Sequence, residues 1–136
     1  MIRLICALCV MALLTGCGAG SIKELQDKPA AKYEFDAPMS YGAIYGRIAY
    51  AARECFQSAG PAASWYVEAD LFANENRGEV TISLTNFGKR YYGMILIVPK
   101  EELTAHVTVW TVDPGWQHLG PDAQRWANGD SSCKQQ

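Results

Sequence analysis

Residues 65–112 read WYVEADLFANENRGEVTISLTNFGKRYYGMILIVPKEELTAHVTVWTV, and apolar and polar residues alternate through most of this stretch. Alternation with a period of two is typical of β-strands, because successive side chains of a strand point to opposite faces. Four strands are predicted, with apolar faces formed by Trp65, Val67, Ala69, Leu71 and Ala73, by Val80, Ile82 and Leu84, by the nearly continuous apolar run 91–98, and by Ala105, Val107 and Val109. Turn-forming residues separate these strands, so the sequence predicts a four-stranded antiparallel meander.

A helix is predicted directly before the meander. Ser40 is a residue type that often caps a helix N-terminus, and apolar residues then recur every three or four positions, at Ile44, Ile48, Ala52, Cys55 and Ala59. Gly60 and Pro61 end the pattern, because proline cannot continue a helix. The long helix is therefore expected to span residues 40–59 and to pack on one face of the sheet.

A short C-terminal helix is predicted to begin at Gly120-Pro121-Asp122, with proline in its first turn and a small apolar patch that includes Trp126. The predicted fold class is α+β: one long N-terminal helix on one face of a four-stranded meander, followed by a short helix. Residues 40–136 would form this single domain.

Aromatic residues are unusually frequent on the predicted strand faces. They are Tyr66, Phe72, Tyr91, Tyr92 and Trp110. Exposed aromatic patches often mark binding surfaces, so these five residues are a candidate binding face. Alternatively, the N-terminal segment and the C-terminal tail cover them.

The first 17 residues have the pattern of an export signal. Arg3 precedes the uncharged apolar run 4–14, which is too short to span a bilayer, and the run leads to Leu14-Thr15-Gly16-Cys17. These four residues resemble the lipobox of bacterial lipoproteins. The resemblance implies a signal peptide over residues 1–16, cleavage before Cys17, and acylation of Cys17 with chains such as palmitate.

The resemblance also implies a location. In Gram-negative lipoproteins the residue after the acylated cysteine influences sorting, and Gly18 favours the periplasmic side of the outer membrane. Residues 17–39 show no sustained periodicity and contain Pro29 and Pro38, so they are expected to form a lipidated, flexible tether. Alternation around Tyr33 and Phe35 leaves open a short edge strand at the end of this tether.

Two cysteines, Cys55 and Cys133, remain once the leader and the acylated residue are set aside. A pair of cysteines in an exported chain usually forms a disulfide, because the compartment is oxidising. The alternative is two separate buried thiols.

No catalytic constellation stands out. His106 lies mid-strand between Thr104 and Thr108, and His118 lies in a loop, so neither has an evident catalytic partner. The four Cys and His residues that remain are too scattered for zinc, and no cofactor motif is present. A formal net charge of −2 gives no attraction for nucleic acid. We therefore expect a protein that is not an enzyme and has neither metal nor cofactor.

Three functions fit this sequence. The first is a non-catalytic outer-membrane lipoprotein that binds another envelope component, such as an assembly, secretion or cell-wall partner. The second is a carrier of a small apolar ligand, with a pocket lined by Ile44, Ile48, Ile95 and Ile97. The third, by analogy with other small exported lipoproteins, is an inhibitor of a host hydrolase such as lysozyme.

Overall fold

The structure is a computed structural model that describes residues 18–134. Its helices and strands, numbered in chain order, are α1 (Ile22–Asp27), β1 (Ala31–Ala37), α2 (Tyr41–Phe56), β2 (Ser64–Phe72), β3 (Arg77–Thr85), β4 (Lys89–Glu101), β5 (Thr104–Thr111) and α3 (Leu119–Ala127). Two 3-10 turns, Ala73–Glu75 and Pro114–Trp116, complete the described elements. The fold class is α+β, as predicted.

The sheet has five antiparallel strands in the order β1-β5-β4-β3-β2. Strands β2 to β5 form the predicted meander, but the predicted number of four is wrong. The fifth strand, β1, comes from the N-terminal segment and pairs with β5 from Ala31 opposite Thr111 to Ala37 opposite Ala105. The open alternative of an edge strand around Tyr33 and Phe35 is the one that the structure adopts.

The prediction of a flexible tether over residues 17–39 is wrong for most of its described part. Ser21 begins α1 by accepting a hydrogen bond from the Glu24 backbone N–H at 3.0 Å, and the Glu24 carboxylate accepts one from the Gly20 N–H at 2.8 Å. This reciprocal arrangement resembles a capping box. Leu25 then packs against the sheet and is almost fully buried.

Helix α2 covers one face of the sheet and forms the main core with it. Ile44, Ile48 and Ala52 are fully buried against Ile82 and Ile95 of the central strands. The helix ends at Phe56, three residues earlier than predicted, because Ser58 turns away to exchange two backbone hydrogen bonds with Trp65. Ser40 precedes the helix, but its side chain makes no capping hydrogen bond.

Tyr45 of α2 packs directly on β3 at Gly78. A β-carbon added to Gly78 would lie 2.6 Å from the Tyr45 ring, so any larger residue would push the helix off the sheet. Glycine at this position permits the close approach of helix and strand.

The C-terminal helix α3 fills the space beside α2, and its Trp126 is almost fully buried. Arg47 of α2 donates a hydrogen bond to the Ala127 carbonyl at 2.8 Å, which ties the two helices together. Cys55, near the end of α2, forms a disulfide with Cys133, with 5.3 Å between the Cα atoms. The pairing joins the C-terminal tail to the end of the long helix.

Candidate functional site

A cluster of aromatic rings lies where α2 ends, where β2 begins and where the chain leaves the sheet after β5. We call Phe56, Trp65, Tyr92 and Trp116 the aromatic cluster. Trp116 lies at its centre, with ring centroids 5.3 Å from Phe56, 5.3 Å from Trp65 and 5.5 Å from Tyr92. All four side chains are half-buried, so the cluster presents amphipathic aromatic surface to its surroundings.

Local backbone features bring these four side chains together. The register between β3 and β4 shifts after Ile82: Ile82 pairs with Gly93 and Ser83 pairs with Tyr91, so Tyr92 is the extra residue of β4 at the shift. This β-bulge turns Tyr92 toward Trp65, at a centroid distance of 5.0 Å. A 3-10 turn capped by Asp113, whose carboxylate accepts from the Gly115 N–H at 2.8 Å, then places Trp116 over both rings.

Two shallow clefts flank Phe56. One, of about 260 Å³, is lined by Cys55, Phe56, Gln57, Ser58, Trp65 and Trp116. The other, of about 230 Å³, is lined by Cys55, Phe56, Asp122, Trp126, Cys133 and Lys134. The four isoleucines expected to line a ligand pocket belong to neither cleft. They are fully buried in the core between α2 and the sheet: Ile44, Ile48, Ile95 and Ile97.

His118 has a carboxylate partner that sequence reasoning missed. Its Nδ1 lies 3.0 Å from the Asp122 carboxylate, and Arg125 donates to the other oxygen of Asp122 at 2.9 Å. The imidazole is flanked by the rings of Trp116 and Phe56. A histidine and an aspartate are two parts of a nucleophilic triad. The ring contacts of His118 also join the start of α3 to the aromatic cluster.

His106 also has acidic partners, on the sheet face opposite α2. Its Nδ1 lies 2.7 Å from the Asp36 carboxylate, and its Nε2 lies 3.4 Å from Glu34. The hydrogen bond with Asp36 is the main reason that the pKa of His106 is raised. Lys100, which also pairs with Asp36, is the main reason that the pKa of Asp36 is lowered. The group links β1 to β5 at an exposed site.

The five residues predicted as a binding face do not share one surface. Tyr91 and Trp110 pack with Leu25 of the N-terminal segment, and Tyr92 belongs to the aromatic cluster. Phe72 lies under the Arg77 guanidinium, 4.6 Å from its ring centroid, whereas Tyr66 is exposed. The alternative that the N-terminal segment covers the aromatic face therefore holds for Tyr91 and Trp110.

The predicted acylation site, Cys17, lies outside the described residues, as does the whole of the predicted signal peptide. The first described residues are nevertheless part of the domain. Ala19 pairs with Tyr91, and Gly18 lies so close to Arg90 and Tyr92 that an added β-carbon would lie 2.5 Å from the Arg90 Cβ. Residues 18–20 thus extend the sheet beside the bulge.

Within residues 18–134, no three His, Cys, Asp or Glu side chains are close enough together to hold a metal ion. No helix in this part of the chain is sufficiently long and apolar to cross a membrane.

No protein-family model matches the sequence, and no curated protein matches it. Among solved structures, norcoclaurine synthase from Thalictrum flavum in complex with dopamine and hydroxybenzaldehyde aligns with 15% identity and a TM-score of 0.36, over 74% of this chain and 82% of that chain. A truncated form of the same enzyme gives the same identity and TM-score over 88% of its length. A conserved protein from Geobacillus kaustophilus aligns with 8% identity and a TM-score of 0.35, over 71% of this chain and 86% of that chain.

Proposed function

We propose that this chain is a non-catalytic lipoprotein of the bacterial outer membrane, facing the periplasm and binding another component of the envelope. In this proposal residues 1–16 are removed and Cys17 carries the acyl chains. The main support from the sequence is the lipobox resemblance of Leu14-Thr15-Gly16-Cys17.

The backbone pairing of Ala19 with Tyr91 determines how such an anchor would hold the domain. Because the folded domain begins within two residues of Cys17, acyl chains on that cysteine would hold the whole domain directly at the membrane surface. The Cys55–Cys133 disulfide supports an oxidising compartment, since such bonds are rare in reducing ones.

The free edge of β2 is the best candidate for the partner-binding surface. β2 is an edge strand, and Tyr66 and Leu71 on it are 47% and 46% exposed. Within the described residues, the strand pairing on the side of β2 away from β3 is a single isolated bridge, between Ser58 and Trp65. An unpaired strand edge can accept an extended segment of another protein through main-chain hydrogen bonds.

Photo-crosslinking in cells tests this function. A photoreactive amino acid at Tyr66 is expected to crosslink to a specific envelope component. The matched control is the same amino acid at Tyr50, which is 60% exposed but lies on α2. A product found equally at both positions, or none at Tyr66, would contradict the assignment of this edge.

A further inference from the structure

The hairpin between β3 and β4 projects from the end of the molecule that carries the aromatic cluster. Ser64, Thr85 and Lys89 are paired side by side across β2, β3 and β4, so the turn 86–88 is the tip of this end. Phe87 at the tip is fully exposed, although it is one of the most apolar residue types. A lone aromatic ring at a protruding turn has no role in the core.

The segment that leads into β2 at this end is uncharged, and amphipathic rings lie beside it. Residues 57–65, which precede and begin β2, contain no charged side chain. Trp65, Tyr92 and Trp116 are half-buried at the same end. Tryptophan and tyrosine are enriched where proteins meet the interface of a bilayer, because their rings are apolar and carry a polar group.

The described chain also begins at this end. Ala19 is paired with Tyr91, which follows Phe87 by four residues, a separation of at most about 13 Å at the rise of a β-strand. Segments that lie on a membrane bury their apolar face about 5 to 10 Å into the boundary of headgroups and acyl chains. The hairpin tip is therefore close enough to residue 17 to enter the interface when that residue is held at the bilayer surface.

The opposite end of the sheet carries acidic side chains. The end of β4 carries Lys100 and Glu101, and the turn to β5 carries Glu102 and the exposed Leu103. Acidic side chains are unfavourable next to lipid phosphates, whereas the Phe87 hairpin carries Lys89 and Arg90. Lys89 is already paired with Glu68 at 2.7 Å, which leaves the phosphate contact to Arg90.

We infer that this end of the domain docks on the surface of the lipid bilayer, with Phe87 inserted into the interface, Arg90 on headgroup phosphates, and the aromatic cluster at headgroup level. The inference rests on the proposed anchoring through Cys17. It adds an orientation: the sheet stands with the Phe87 hairpin toward the lipid and the β4–β5 turn away from it.

An environment-sensitive fluorophore tests this orientation in the full acylated chain on phospholipid vesicles. The label is attached through Gly88→Cys, because a β-carbon at Gly88 meets nothing within 4 Å and Phe87 is retained. The matched control is the same label at Glu102→Cys, in the turn of the opposite end. Mass spectrometry of the same sample reports whether Cys17 carries acyl chains.

The expected result is emission shifted to shorter wavelength and quenching by headgroup-labelled lipid at position 88, with neither effect at position 102. Adding Phe87→Ser should reduce the quenching at position 88. If Cys17 is acylated and both labels are equally exposed to water, the docking orientation is wrong and the anchor stands. If Cys17 is not acylated, the proposed function fails and the docking inference fails with it.

Discussion

Ala19 and Tyr91 exchange two backbone hydrogen bonds of 2.9 Å, one in each direction, beyond the point where β5 ends. This pairing makes residues 18–20 part of the sheet, and α1 follows immediately and covers part of the face opposite α2. The N-terminal segment is therefore a structural part of the domain, with consequences for stability.

Leu25→Ala is expected to destabilise the protein by about 2 to 4 kcal/mol, because Leu25 is almost fully buried with Met94 and its removal would leave a cavity. Chemical denaturation of the purified domain measures the change. Lys23→Ala is the matched control in the same helix, since the Lys23 side chain is 83% exposed. Equal stability of the two variants would mean that α1 is not packed on the sheet.

Removing the disulfide should lower stability by about 4.5 kcal/mol in oxidising buffer, because the bond closes a loop with a sequence separation of 78 residues. Thermal and denaturant unfolding of Cys133→Ala measures this loss. Under reducing conditions the variant and the parent chain should unfold alike. A variant as stable as the parent in oxidising buffer would contradict the contribution assigned to the bond.

The His106 group predicts a particular dependence of stability on pH. The raised pKa of His106, caused mainly by Asp36, gives a contribution that is complete below about pH 6.5 and is lost as the pH rises through the folded-state pKa. The lowered pKa of Asp36, caused mainly by Lys100, and that of Glu34, caused mainly by His106, give contributions that are lost as the solution becomes strongly acidic. The group is therefore most stabilising between about pH 4.3 and 6.5.

His106→Gln tests this dependence through urea midpoints measured across pH 5 to 8. The difference between the parent chain and the variant should be largest at the acidic end and should shrink toward pH 8. A surface group of this kind contributes modestly and is weakened by salt, so low ionic strength is the condition of choice. A difference that does not change with pH would rule out protonated His106 as its source.

The sequence predicted the meander well because strand periodicity, turn residues and the Ile44-Ile48-Ala52 stripe are local signals. It did not predict α1, although the spacing of Ser21 and Glu24 is that of a capping box, and it left β1 open as a short edge strand. A six-residue helix has little periodicity, and the pairing of β1 with β5 joins segments that are far apart in the chain.

The aromatic cluster shows why the candidate site was harder to predict than the fold. Tyr91 and Tyr92 were both candidates for the binding face, because their run is apolar nearly throughout and does not show which face each side chain lies on; the bulge after Ile82 decides it. One extra residue in a strand reverses the direction of the side chains beyond it, and periodicity alone does not locate it. The His118–Asp122 pair did have a local signal, namely a spacing of four residues at a helix start.

Mass spectrometry of the N-terminus of the native protein, isolated from cell membranes, tests the central proposal most directly. The account predicts a chain that begins at Cys17, with acyl chains on that residue, and loss of membrane attachment in Cys17→Ser. An unmodified Cys17 with residues 1–16 still attached, in a chain recovered from the cytosol, would contradict it.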